Sequence, residues 1–168
     1  NVFEAVSVED VPNLEHVTEE IRFDSRNELL PYEHGYITLV YDSNVIASED
    51  VPQTLKDLID PKYEDEIIMI DPRSSSPGLS FLLWTIAEFG EEAYLGFWDG
   101  LKDNILTIAN SWDTSFDFFL RGEASIIVSF STDEAFDVIV NDSTRTQVLT
   151  PEGQAYRTIF GAGVVRDA

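Results

Sequence analysis

The chain has 168 residues, 32 acidic and 10 basic, for a formal net charge of −22; 43% are apolar, 12% aromatic, and none is cysteine. That length and apolar content suffice for one domain with its own core and set the chain apart from disordered sequences. The acidity excludes nucleic acid, whose phosphates need clustered Lys and Arg, and the lack of thiols removes disulfides, thiolate nucleophiles and Cys-based metal sites.

No apolar stretch is long enough to span a bilayer. Asn1 opens directly on mixed residues with no basic start or apolar run, so no secretory leader is visible, and a mature, trimmed or fragmentary chain is expected. Only Lys56, Lys62 and Lys102 are lysines, and the acids are spread along the chain. Such a surface repels itself at low ionic strength, and the reading adopted is a halophilic one, adaptation to a salty medium rather than a cation site. His16 and His34 lie too far apart for a local metal motif and read as surface or turn residues; no metal site is expected.

In chain order, residues 1–34 are acidic and irregular, broken by Pro12 and Pro31. Tyr36 to Tyr41 is β-branched and aromatic, stops at Asp42-Ser43-Asn44, and predicts a strand. Thr54 to Ile59 predicts a short helix with Pro61 past its end. Ile67 to Ile70 is a compact apolar run of the kind buried in a parallel sheet. Asp71-Pro72-Arg73-Ser74-Ser75-Ser76-Pro77-Gly78 then opens an apolar helix, Leu79 to Phe89. Ser75 or Ser76 suits the N-cap and Pro77 the first helical position. On these residues alone the loop reads first as a capped turn and second as an anion cradle, because it carries neither a P-loop lysine nor a glycine-rich fingerprint.

A second helix is predicted from about Glu91 to Asn104, then a strand Ile105 to Ile108 and a loop Asn110-Ser111-Trp112-Asp113. Ser115 to Leu120 reads as helix stopped near Gly122, and Ile126 to Phe130 as a buried strand. Ser131-Thr132-Asp133-Glu134 starts a helix through Val140, and Tyr156 to Val165 is the last strand. Trp84 and Trp98 read as core. The alternation predicts an α/β fold with a largely parallel sheet flanked by helices. Ligands of such sheets sit beyond the carboxyl ends of the strands. Three loops there, 74–78, 110–115 and 130–136, are rich in Ser, Thr and aromatics. They hold no triad or metal set.

These residues resemble a known family. Asp71 to Gly78 with Leu82-Leu83-Trp84 is similar to the signature loop of thiamine-binding proteins of ABC importers. Gly35-Tyr36 through Asp42, Ser111-Trp112, Leu120-Arg121-Gly122-Glu123 through Thr132, and Ala135-Phe136 resemble further family motifs in the same order, over roughly residues 31–165. The resemblance implies a type II periplasmic-binding-protein-like fold, two lobes closing on ligand like a clamp. It implies that residues 1–42 are a remnant of the first lobe and a first crossover strand, 43–155 the second lobe, and 156–168 the return crossover, with most of the first lobe missing.

The resemblance also implies a site. Trp112 matches the tryptophan that stacks on the vitamin, and Phe130 and Phe136 fall where the family carries binding tyrosines. Ser75, Ser76, Pro77 and Gly78 fall on the loop near the hydroxyethyl or phosphate end, and Ser131 and Thr132 on the strand-to-helix turn. Aromatic faces attract both the aminopyrimidine and the thiazolium cation of thiamine. Phe130 and Phe136 lack a hydroxyl, and Asp133-Glu134 replaces the family's Ser-Pro pair. The implied protein is an extracytoplasmic carrier without catalytic residues or cofactor, a monomer that delivers thiamine or its phosphates to permease subunits. It is expected to be a lipoprotein held at the membrane by an anchor absent from this chain. The alternative is a related binder of ferric ion, polyamine or phosphonate. A thiaminase-like enzyme ranks lower, because its nucleophile is a cysteine.

Overall fold

A computed structural model of the chain describes residues 2–23 and 25–166. In order, the elements are β1 (Phe3–Glu4), β2 (Leu30–Asp42), β3 (Ile67–Ile70), α1 (Ser76–Phe89), α2 (Tyr94–Leu101), β4 (Ile105–Ala109), α3 (Trp112–Leu120), β5 (Ile126–Phe130), α4 (Asp133–Asn141), β6 (Thr146–Leu149), β7 (Tyr156–Ala162) and β8 (Val164–Val165). Short 3-10 turns fill several of the connections. The chain divides into two compact units, residues 1–35 with 157–168 and residues 36–156.

The smaller unit joins β1 to β8 antiparallel, with Phe3 opposite Val165. Its 3-10 turn Pro12–His16 buries Leu14, whose carbonyl accepts both the Val17 N–H at 3.2 Å and the Arg22 guanidinium at 2.7 Å. His16 in this turn and His34 on β2 are both exposed.

The larger unit is a helix-flanked sheet in the order β4-β3-β5-β2-β6. Strand β3 is parallel to β4 and β5, whereas β2 runs antiparallel to β5 and β6. Four of the five strands therefore point the same way. Successive residues of a strand face opposite sides, so a strand covered on both faces is apolar along nearly all its length. Ile67, Met69, Ile126 and Val128 accordingly join one cluster with Phe81, Trp84, Phe97 and Leu101 of α1 and α2. Ile68 and Ile127 join another with Val40, Ala109 and Phe119 of α3. Trp84 is buried; Trp98 is half-buried and donates its Nε1–H to Thr85 Oγ1 at 3.0 Å.

Several elements differ from the sequence reading for physical reasons. The segment Thr54 to Ile59 is a 3-10 turn, Leu55–Ile59, closed by a capping box between Thr54 and Asp57. The second helix starts at Tyr94 because Gly90, at φ +80°, redirects the chain, and it ends in a single 3-10 turn, Lys102–Asn104. Helix α3 begins at Trp112, three residues early, because the Ser111 hydroxyl accepts from Thr114 N–H at 3.2 Å and caps it there. Strand β2 starts at Leu30 and takes in Pro31 and Gly35. The last strand breaks at Gly163 into β7 and β8. Strand β6 is additional: its Thr146 and Val148 N–H groups donate to the Asp137 and Glu134 carboxylates of α4, at 3.1 and 2.9 Å.

Candidate functional site

Because β4, β3 and β5 are adjacent and parallel, the loops after their last residues, Ala109, Ile70 and Phe130, share one edge of the sheet. Two of the loops are joined directly. Asp71 N–H donates to the Ala109 carbonyl at 2.8 Å, and Ser74 Oγ–H donates to the Asn110 carbonyl at 2.7 Å.

At the head of α1, Ser75 is the N-cap residue, Ser76 opens the helix and Pro77 follows it. The Ser75 hydroxyl makes no capping hydrogen bond. Pro77 has no N–H, so the first turn presents the N–H groups of Ser76 and Gly78 and the positive end of the helix dipole. Ser75 is half-buried and Ser76 exposed; Pro77 and Gly78 are buried. Gly78 lies against the end of β3: a Cβ there would collide with the Ile70 carbonyl oxygen and stand 2.9 Å from its carbon. Nearby, exposed Arg73 donates to both Asp71 carboxylate oxygens, with Nη2 at 2.6 Å, and that pairing pulls the Asp71 pKa down to about 2.

Trp112 opens α3 and is half-buried. Phe116, one helical turn on, stacks with it at a 5.0 Å centroid distance and 22°. Phe130, at the end of β5, meets it edge-on at 5.7 Å and 68°. The Trp112 Nε1–H donates to Ser129 Oγ at 2.7 Å, and the Ser129 hydroxyl in turn donates to Asp133 Oδ2. The same carboxylate oxygen accepts the Phe130 N–H at 3.3 Å. Burial pushes the Asp133 pKa up, against the opposing pull of the Ser129 and Phe130 hydrogen bonds.

The remaining sequence candidates lie just beyond. Thr132 is exposed at the N-cap of α4. Ser131 lines a hollow of about 410 Å³ with Glu134, Ala135, Val138, Ile139 and Val148. Phe136 projects from α4, 53% exposed. The structure thus joins Trp112 and Phe130 in one aromatic group and leaves Phe136 outside that group's ring contacts. Sequence reasoning missed Phe116, which its i+4 spacing from Trp112 signals. It also missed Ser129, which nothing local distinguishes from a strand serine. Among the described residues no group of three or more His, Asp or Glu is placed to hold a metal ion.

A largely parallel sheet with three Ser-, Thr- and aromatic-rich loops at one edge is the arrangement in which α/β proteins hold ligands. The chain belongs to the bacterial extracellular solute-binding protein family, which it matches over residues 1–167. It is 34% identical over 125 residues to the thiamine-binding periplasmic protein of Brucella melitensis biotype 1, an alignment covering 74% of this chain and 36% of that protein. The corresponding protein of Escherichia coli is 31% identical over 115 residues, 68% of this chain and 34% of that one. The matched segments thus span only about a third of the length of these relatives. Among solved structures, a periplasmic thiamin binding protein superposes with a TM-score of 0.79 at 23% identity, covering 96% of this chain and 53% of that one. The periplasmic binding protein AfuA from Actinobacillus pleuropneumoniae, with fructose-6-phosphate bound, superposes with a TM-score of 0.85 at 21% identity, covering 99% and 53%.

Proposed function

We propose that this chain is the ligand-binding part of an extracytoplasmic carrier that binds thiamine, and its phosphates, for an ABC importer. The observation that carries the reading is the aromatic group of Trp112, Phe116 and Phe130 at the loop edge of the sheet, where the loop before Trp112 is hydrogen-bonded to the loop before the anion-favouring start of α1. With Phe116 on one face of the indole, the ligand's thiazolium or pyrimidine ring stacks on the other. Phe130 and Phe136 complete the apolar walls. The Ser75 and Ser76 hydroxyls, with the Gly78 N–H behind Pro77, meet the hydroxyethyl or phosphate end, and Ser131 and Thr132 contribute polar contacts from the turn before α4. Similarity to thiamine-binding periplasmic proteins supports the choice of ligand.

Such a carrier performs no chemistry and needs no cofactor. In this reading residues 43–155 form one lobe of a two-lobed clamp, the protein acts as a monomer held at the membrane, and permease subunits receive the vitamin. The test is calorimetric titration of the full-length protein with thiamine in molar salt, repeated on Trp112→Ala. Loss of one aromatic–cation stack is expected to cost about 1–2 kcal/mol, a five- to thirtyfold weaker Kd, and to abolish the ligand-induced change in tryptophan fluorescence. A folded Trp112→Ala protein that binds thiamine as tightly as its parent contradicts the assignment.

A further inference from the structure

We propose that Asp133 is a positioning residue of the ligand site, holding the Trp112 indole in place through the Ser129 hydroxyl. The inference rests on the reading of Trp112 as the stacking surface. It concerns what aims that surface.

A stack on Phe116 sets the plane of the indole but leaves the ring free to slide and turn within it. A directional contact is needed to stop that motion, and the Trp112 Nε1–H to Ser129 Oγ bond, at 2.7 Å, is such a contact. A serine hydroxyl has one hydrogen and two lone pairs, and it rotates to suit its neighbours. With its hydrogen committed to Asp133 Oδ2, the Ser129 oxygen presents a lone pair to the indole. Without Asp133 the hydroxyl has no fixed direction. The partners are not surface groups: Ser129 is fully buried on β5 and Asp133 is 8% exposed. Asp133 Oδ2 also accepts the Phe130 N–H, so one carboxylate ties down the backbone of the ring that meets Trp112 edge-on. Hydrogen bonds chained in this way in a sheltered site polarise and strengthen one another.

A plainer role for Asp133, as an acid in the first turn of α4, would affect stability alone. The experiment must therefore read the indole itself. In the full-length protein, the variants are Asp133→Ala, Asp133→Asn, Ser129→Ala and Trp112→Phe, the last keeping a ring while removing the N–H. Without ligand, Asp133→Ala and Ser129→Ala are expected to diminish the same near-UV circular dichroism band that Trp112→Phe removes. Asp133→Asn is expected to keep it, because the amide oxygen still accepts from Ser129 and Phe130. With thiamine, Asp133→Ala and Ser129→Ala are each expected to weaken binding roughly tenfold, with Asp133→Asn close to the parent. In the Trp112→Phe background neither alanine change should weaken it further. Full additional losses in that background, or an Asp133→Asn protein as weak as Asp133→Ala, would overturn the positioning role. If the unmodified protein fails to bind thiamine, the functional reading falls, and the circular dichroism series still decides whether Asp133 holds the indole.

Discussion

Ser75 and Ser76 sit where an α-helix is least satisfied, and neither the capping pattern nor the dipole is used up by the protein's own side chains there. The net charge of −22 disfavours a phosphate at a distance, but salt screens distant charges far more than contact hydrogen bonds. In molar salt, thiamine monophosphate is therefore expected to bind at least as well as thiamine. Replacing both serines with alanine should cost the phosphorylated ligand roughly 1–3 kcal/mol more than the free one. Calorimetry of both ligands on parent and double variant measures the difference, and equal losses would reduce the loop to a helix start. Beside it, Arg73 is engaged by Asp71. Because the Asp71 pKa is lowered to about 2 from its ordinary 3.8, the pair's contribution to stability is complete above pH 3.8. It is lost as pH falls through about 2. Both partners reach solvent, so molar salt should weaken the pair and move the titration upward, which carboxyl chemical shifts of Asp71 would follow.

At the scale of elements, Gly78 makes the packing of α1 on β3 directly testable. An interior Gly→Ala change ordinarily stabilises a helix by about 1 kcal/mol. Here the new methyl would run into the Ile70 carbonyl, which is backbone and cannot swing aside, and so Gly78→Ala should destabilise by about 1–3 kcal/mol in urea unfolding. A stabilised variant would show that α1 has room to shift. Strands β3 and β5 are legible in the sequence because burial on both faces leaves compact apolar runs, Ile67–Ile70 unbroken and Ile126–Phe130 interrupted by Ser129. Strand β6 is not. Thr146–Leu149 is short and half polar, and two of its N–H groups are satisfied by Asp137 and Glu134 of α4, a tertiary arrangement that no local pattern announces. The site divides the same way. Trp112, Ser75 and Ser76 stand out as loop residues in a recognisable order. The Trp112–Ser129–Asp133 chain joins three elements, and its middle member looks like any other strand serine.

For the whole molecule, charge decides the conditions under which everything else operates. Among the described residues several ion pairs are exposed on both sides, as between Lys102 and Asp99 or Arg121 and Asp117, and such pairs contribute little net stability. A better-protected contact is Arg145 with Asp42, whose side chain is only 5% exposed. Arg145 Nε donates to Asp42 Oδ2 at 2.6 Å, while its other nitrogens donate to the Phe119 and Leu120 carbonyls at the end of α3. Salt screens exposed charges strongly and a sheltered, hydrogen-bonded pair much less. Raising the salt therefore relieves the repulsion among the many acids while leaving this contact largely intact. Moderate screening also weakens the exposed pairs, but their small contribution cannot offset the relief of a −22 surface. The midpoint of thermal unfolding is expected to rise steadily from dilute buffer to molar sodium chloride, followed by far-UV circular dichroism. Arg145→Ala should lower the midpoint by a similar amount at both ends of that range, because the contact it removes is sheltered. A midpoint that stays flat or falls with salt in the parent would mean that the acids are not what limits its stability.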